Sequence, residues 1–275
     1  MPNYVTNKLK ISGNKDLVRR IKSEISSVTE DGRLRAIDFH KVRPLPNELK
    51  GTISPMKTLT QEEYDAQESK ISSLRYNTED TKENEKSIGI SRGLTEELQK
   101  EYKRKFKACD WYDWQTINWG TKWNASEAVD NGEEIHFLTV WSTPVTLIKH
   151  LSEKYPDAEF NVRYADEDFG YNVGEYGMRD GMVIHDNIPD GGTEEAYFLA
   201  GEIQDPSYLA CLVEGIEENE VLEKYAENYI RAAYRGKIFG DYPKYIWNRL
   251  EEFAVADEDY EMAQKIKEFV EAGKV

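Results

Sequence analysis

Residues 119–164 read WGTKWNASEAVDNGEEIHFLTVWSTPVTLIKHLSEKYPDAEFNVRY, and their reading decides the fold. Asn131-Gly132 falls between two strand-like runs, WGTKWNASEAV and EIHFLTVW. An Asn-Gly pair in that position favours the tight turn of a β-hairpin, because both central residues must tolerate a left-handed backbone. Thr143 and Pro144 then read as the cap and first residue of a helix. Its inner face is Leu147, Ile148, Leu151 and Tyr155, and Pro156-Asp157 ends it. Ala158, Phe160, Val162 and Tyr164 recur at every second residue, the period of a half-buried strand.

Working outward, residues 3–13 alternate too. Val5, Leu9 and Ile11 point one way, and Asn7 shares their apolar face. A buried amide must be hydrogen-bonded, which predicts a structural bond from Asn7 to the backbone of the 119–124 turn. A helix is expected over about 16–28 and a second strand over 34–42, ended by Pro44 and Pro46. Residues 47–118 are polar and rich in Lys and Glu. They read as a helical insertion at about 50–115, with a capping box at Thr60/Glu63, a helix starting after Thr95, and 77–87 as the stretch expected to be most flexible. The stretch FGYNVGEYGMRDGMVI (169–184) reads as irregular β structure.

Without the insertion, the order is strand, helix, strand, hairpin, helix, strand. That predicts an α+β fold: a ferredoxin-like antiparallel sheet with helices on one face. The expected domains are 1–190, ferredoxin-like with its insertion, and 191–275, a helical C-terminal region. Helix starts are expected near Asp205, Asp241 and Asp257, and stops at Gly236 and Gly273.

The chain has 275 residues, a net charge of −16 and 12% aromatics, including six Trp and 17 Tyr. So many aromatics argue for a folded chain despite the charge. The acidity disfavours direct nucleic-acid binding and an anionic membrane surface, since phosphate neutralisation needs basic groups. Cys109 and Cys211 have neither disulfide nor zinc spacing. The start MPNYVTNKLK lacks an apolar signal core, no run is long enough to span a membrane, and a cytoplasmic location is expected.

Few residues suggest chemistry. Gly89-Ile90-Ser91-Arg92-Gly93 has the G-x-S-x-G form, but charged residues precede it where a nucleophile elbow needs a buried strand. Asp166, Glu167 and Asp168 could offer carboxylates to a hard cation, but the pattern reads better as a solvated acidic loop. His40, His136, His150 and His185 have no mutual metal spacing, and His136 is expected in an apolar strand. Trp119, Trp123 and Trp141 gather around the hairpin with Lys122 and Asn124. Such rings can stack on bases or sugars, and the reading favoured here places them in the core. Tyr164, Asp166 and Asp168 complete the candidate binding set. The acid-rich stretches VEGIEENEVLEKYAEN and LEEFAVADEDYE read as solvated helix faces, with imitation of phosphate rows as the rival.

Five segments carry a resemblance: MPNYVTNKLKISG, FHKVRPLP, NWGTKWNA, FLTVWSTPVTLIKHLSEKYP and YADEDFGYNVGEYGMRDG. In this order they resemble the YubB-like family of phage- and plasmid-borne proteins, over roughly residues 1–185. The resemblance implies a ferredoxin-like fold and a mobile-element origin, and it implies no activity. The long insertion and the helical tail depart from it. The tail's AVADEDYEMAQKIKEFV is similar to the helical hairpin of UvrB/UvrC-type proteins.

The functional expectation is therefore a non-enzymatic accessory protein of a mobile element that acts by protein–protein binding, with a host or defence factor as partner class. An acidic nucleic-acid mimic and an enzyme with a site near the sheet end are the alternatives. No cofactor and no metal are expected. Sequence does not give the oligomeric state.

Overall fold

The protein is described from a computed structural model, which covers residues 2–29, 31–76, 91–204 and 244–271. Its centre is a six-stranded antiparallel sheet. In chain order the strands are β1 (Tyr4–Ser12), β4 (Ser126–Asp130), β5 (Ile135–Val140), β6 (Glu159–Asp166), β7 (Val173–Arg179) and β8 (Met182–Asn187). Across the sheet they lie β4-β5-β1-β6-β7-β8. Helices α1 (Lys15–Ile25) and α6 (Val145–Lys154) connect β1 to the insertion and β5 to β6. Strands β4-β5-β1-β6 thus give the ferredoxin-like arrangement, and β7 and β8 extend it at one edge.

Alternation sets the two faces. Val5, Leu9 and Ile11 of β1, Phe137 of β5 and Phe160, Val162 and Tyr164 of β6 point into one core with Ile21 and Ile25 of α1 and Leu147, Ile148 and Leu151 of α6. Asn7 is fully buried in the same row, as its parity requires. Its amide donates to Val5 O at 2.9 Å and to Thr139 Oγ1 at 2.8 Å, so its partners are on β1 and β5 and not in the 119–124 turn. Helix α7 (Glu194–Ile203) covers part of the opposite face, with Leu199, Ala200 and Ile203 against Ala165 and Val173.

Several local expectations need correction. The strand expected over 34–42 shrinks to β3 (Leu34–Arg35), which pairs with β2 (Ser27–Val28) in a separate ribbon. Phe39–Val42 form a one-turn helix, α2, because the Asp38 carboxylate accepts from His40 N and Asn124 Oδ1 accepts from Phe39 N. The first helix ends at Ile25, earlier than expected. The hairpin enters later than expected: Trp119 closes helix α5 (Trp111–Trp119), and the strand begins only at Ser126. Gly120 ends α5 at φ 84°, and a Cβ there would lie 3.2 Å from Val145 N, so the close approach to α6 demands glycine. Pro144, not Thr143, takes the cap position of α6. Within the stretch expected to be irregular β structure, β7 and β8 pair as a hairpin whose register shifts between Gly177 and Met178.

The insertion contains α3 (Gln61–Tyr76), α4 (Glu96–Phe106) and α5. Thr60 and Glu63 make the reciprocal capping box, and Thr95 Oγ1 accepts from Leu98 N, both as expected. Leu49, Leu94, Trp114 and Trp119 bring the insertion into the main core. Residues 77–87, and Gly89 and Ile90 of the G-x-S-x-G string, lie outside the described residues. So do Asp205, Gly236, Asp241, Gly273 and the stretch VEGIEENEVLEKYAEN. The described tail is a helical hairpin, α8 (Lys244–Ala256) and α9 (Tyr260–Glu271), and the second helix is capped by Asp259, two residues after the expected Asp257. Among the described residues no helix is long and apolar enough to cross a membrane.

Candidate functional site

The three tryptophans around the hairpin have different fates. Trp119 is in the core at 0% exposure, its indole donating to Arg43 O at 2.8 Å. His40 and Trp114 pack on it edge-on. Trp123 and Trp141 are 41% and 46% exposed, against the expectation that they are core. Lys122 lies between them: its ammonium is 4.4 Å from the Trp123 ring centre and 4.7 Å from that of Trp141. A cation shared by two π-faces fixes both rings at the surface.

The backbone beneath the rings is built to hold them there. Trp141 has φ 68°, in the left-handed region that costs a bulky L-residue about 1–2 kcal/mol. It sits between β5 and α6, and polar groups hold it on both sides. Its N–H donates to Asn3 O at 3.0 Å, and its carbonyl accepts from Asn172 Nδ2 at 3.1 Å. Asp166, 5% exposed at the end of β6, ties these two clamps together. Its carboxylate accepts from Asn3 Nδ2 at 3.2 Å, Asn172 Nδ2 at 2.8 Å and Asp168 N at 2.9 Å. Two candidate residues far apart in sequence, Trp141 and Asp166, therefore form one unit. Asp166 positions Trp141 from below, and Asp168 takes part through its backbone.

The other candidates support this site from further away. Asn124 caps α2 and donates to Asp38 Oδ1 at 2.8 Å. Burial works to raise the Asp38 pKa, but bonds from Ser27, Asn124 and His40 N outweigh it and hold the carboxyl below its usual range. Thr121 Oγ1 and Ser142 Oγ lock the 120–122 turn to β5, donating to Val140 O and Gly120 O. Tyr164 is buried against Tyr176 and does not reach the surface. Burial raises the pKa of both phenols. His136 is half-exposed and meets Glu134 and Asn131, so it is not a core residue; His150 meets Glu153 and His185 meets Asn161.

Lys122 also lines a cleft of about 450 Å³ with Pro55, Met56, Lys103, Trp111 and Tyr112. On its wall the side-chain ligand atoms of Cys109, Asp110 and Asp113 lie within 4.8 Å of one another. Burial raises the Cys109 thiol and the Asp110 carboxyl, and Asp110 also caps α5 by accepting from Asp113 N. The sequence reading passed over this group, although C-D-x-x-D at a helix start was the available signal. It also missed Asn3 and Asn172, whose role exists only once β1, β5 and β6 are assembled.

Residues 118–206 match the family model described as the ferredoxin-like domain in Api92-like protein. The matched stretch starts at the end of α5 and runs through α7, so it leaves out β1, which lies at the centre of the same sheet. No curated protein matches the chain. Among solved structures, the chain is similar to a crystal structure of protein api92 from Yersinia pseudotuberculosis. That likeness has 11% identity and a TM-score of 0.35, over 70% of this chain and 100% of the other.

Proposed function

We propose that the protein is a non-enzymatic accessory protein of a phage or plasmid that acts by binding another protein through the Trp123–Lys122–Trp141 face. The mobile-element origin rests on the YubB-like resemblance, and a host or defence factor is the class of partner proposed with it. One observation carries the binding role: an exposed tryptophan in a costly backbone conformation, clamped on both sides by a buried carboxylate network. Strain that the surroundings maintain is a mark of function when it serves no packing purpose, and here it presents a ring to solvent. Rigid exposed tryptophans are typical binding hot spots, because they bury large area and lose little freedom on docking. Covering the site removes water from Lys122, which strengthens its hold on both rings. The net charge of −16 favours a basic partner over nucleic acid.

The test compares wild type with the double variant Trp123→Ala, Trp141→Gly, each tagged and expressed in the native host. Quantitative mass spectrometry should find a protein that wild type enriches at least about tenfold over the variant, the scale of hot-spot loss. The two forms should melt at similar temperatures. Equal enrichment by both forms overturns the role of this face. A DNA-binding protein that oligonucleotide displaces would instead favour nucleic-acid mimicry.

A further inference from the structure

Strand β8 forms one edge of the sheet, and β7 is its only hydrogen-bonded neighbour. We infer that the outer edge of β8 takes up an extended segment of another protein as a seventh strand, a segment in which apolar side chains alternate with lysine or arginine. The surface shares no residue with the tryptophan face, and the inference does not rest on that face.

The hairpin leaves the edge open. Asp180 and Gly181, at φ 48° and 73°, make the two-residue turn between β7 and β8. Arg179 and Met182 close that turn as a hydrogen-bonded pair, so in the next pair, Met178 and Val183, the backbone groups turn away from each other. The N–H and C=O of Val183 therefore point out of the sheet. Among the described residues no hydrogen bond reaches the outward backbone groups of β8. Met182, Val183 and Ile184 are 66%, 56% and 44% exposed. An apolar edge with open backbone groups is a template for another strand, and proteins that avoid such pairing place Lys or Pro there. The strand MVIHDN has neither. The opposite edge is covered: on β4, Glu127 takes φ 50°, the register shifts, and Ala128 O accepts from Ala36 N at 3.1 Å. The shift in β8 makes Ile184 the extra residue, and the added twist limits the open run to a short segment.

Charge selects the occupant. Asp180, Asp186 and Asp190 are exposed before, within and just beyond β8, and among the described residues their carboxylates have no ion pair or hydrogen bond. Residues 173–187 contain one arginine and no lysine, and that arginine, Arg179, is paired with Glu159 at 2.8 Å. A second copy of the chain would bring the same carboxylates to the same edge. Six residues of strand also fall short of the roughly 1,200 Å² that a stable dimer buries. A short basic and apolar segment meets both features. Its main chain pairs with the open edge, its apolar side chains cover Met182 and Val183, and its cations face the three aspartates.

The experiment is an amide NMR titration of the full-length chain with the end-capped peptide Lys-Val-Lys-Val-Lys-Val-Lys. The comparisons are the same peptide with Glu for Lys, and the Lys peptide with every amide N-methylated. Saturable shifts centred on β7 and β8 are expected with the Lys peptide. The Glu peptide should bind at least about tenfold more weakly, and the N-methylated one should not bind. Asp186→Lys should weaken the Lys peptide about fivefold, the scale of reversing one exposed charge. Val183→Pro removes an outward N–H without touching the bonds to β7, and should abolish binding. Lys100→Ala on α4 should change nothing. Dispersed spectra verify the fold of each variant, and if Val183→Pro loses it, Asp186→Lys and the N-methylated peptide decide. Absence of saturable shifts, shifts away from β8, or equal binding of the Lys and N-methylated peptides overturns the inference. A dimer in sedimentation equilibrium that Asp186→Lys or Val183→Pro alters would overturn it too, by assigning the edge to a second copy.

Discussion

Trp141 is the residue at which local chemistry and assembly disagree most openly. Nothing in VWSTP announces a left-handed tryptophan, since that backbone region belongs to Gly and Asn. The conformation depends on Asn3 and Asn172, which the sequence places 138 residues before and 31 after it, and on the carboxylate of Asp166. The strain gives an unusual prediction. Trp141→Gly should be about 1 kcal/mol more stable than Trp141→Ala in urea unfolding, although Ala normally wins over Gly. Ala equal to or above Gly would mean that the backbone is not strained.

Asp110 offers a test at the same scale. Burial raises its pKa, so the folded chain keeps this proton to higher pH than the unfolded chain does. Ionisation therefore opposes folding. The penalty is absent below the ordinary aspartate value, grows as pH rises toward the raised one, and is complete above it. Asp110→Asn keeps the cap on α5 and removes the buried charge. Its stability should exceed wild type at pH 7, and the gain should vanish as the pH is lowered below the ordinary aspartate range. A pH-independent difference would contradict this.

Among elements, β1 was the most legible, because its alternation has one solution: odd residues in, even residues out. That logic buries Asn7, and the structure leaves Asn7 Oδ1 without a hydrogen-bond partner. An orphaned buried carbonyl costs roughly 1–3 kcal/mol. Asn7→Leu should thus be at least as stable as wild type by thermal denaturation. A loss above about 2 kcal/mol would mean that Oδ1 has a partner, a ligand included. The hairpin at Asn131-Gly132 and the capping box at Thr60 and Glu63 were also readable, since each depends on a few neighbouring residues. Segment 36–42 was not. Its β-like composition is overruled by Asp38 and Asn124, and the second of these comes from 86 residues away. The length of the 119–125 entry was misjudged for a similar reason: Trp119 finishes a helix whose start, Asp110, lies in a stretch that looks merely polar.

For the whole molecule, the ferredoxin-like order was legible from the element sequence alone, while the reach of its core was not. The insertion shares the core through Leu94, Trp114 and Trp119, and α7 adds a second, smaller cluster on the other face. Truncation before Glu194 uncovers Ala165 and Val173 and strips away Leu199 and Ile203. It should lower the thermal midpoint by about 10 °C or more, given roughly 2 kcal/mol for each large aliphatic side chain. Truncation after Gln204 keeps α7 and its bonds to Ala165 and Asp166, and should cost far less. Equal losses would show that α7 contributes little.

The candidate site was half legible. The sequence collected Lys122, Trp123, Trp141 and Asp166, but it assigned the rings to the core, because hydrophobicity cannot tell a packed tryptophan from one held outward by distant polar groups. The central claim is that this outward ring meets another protein. Replacing Trp141 with the photoreactive residue p-benzoylphenylalanine and irradiating native-host cells tests it most directly. The account predicts one dominant protein adduct, lost when Trp123→Ala is added. No adduct, or an adduct to nucleic acid, would contradict it.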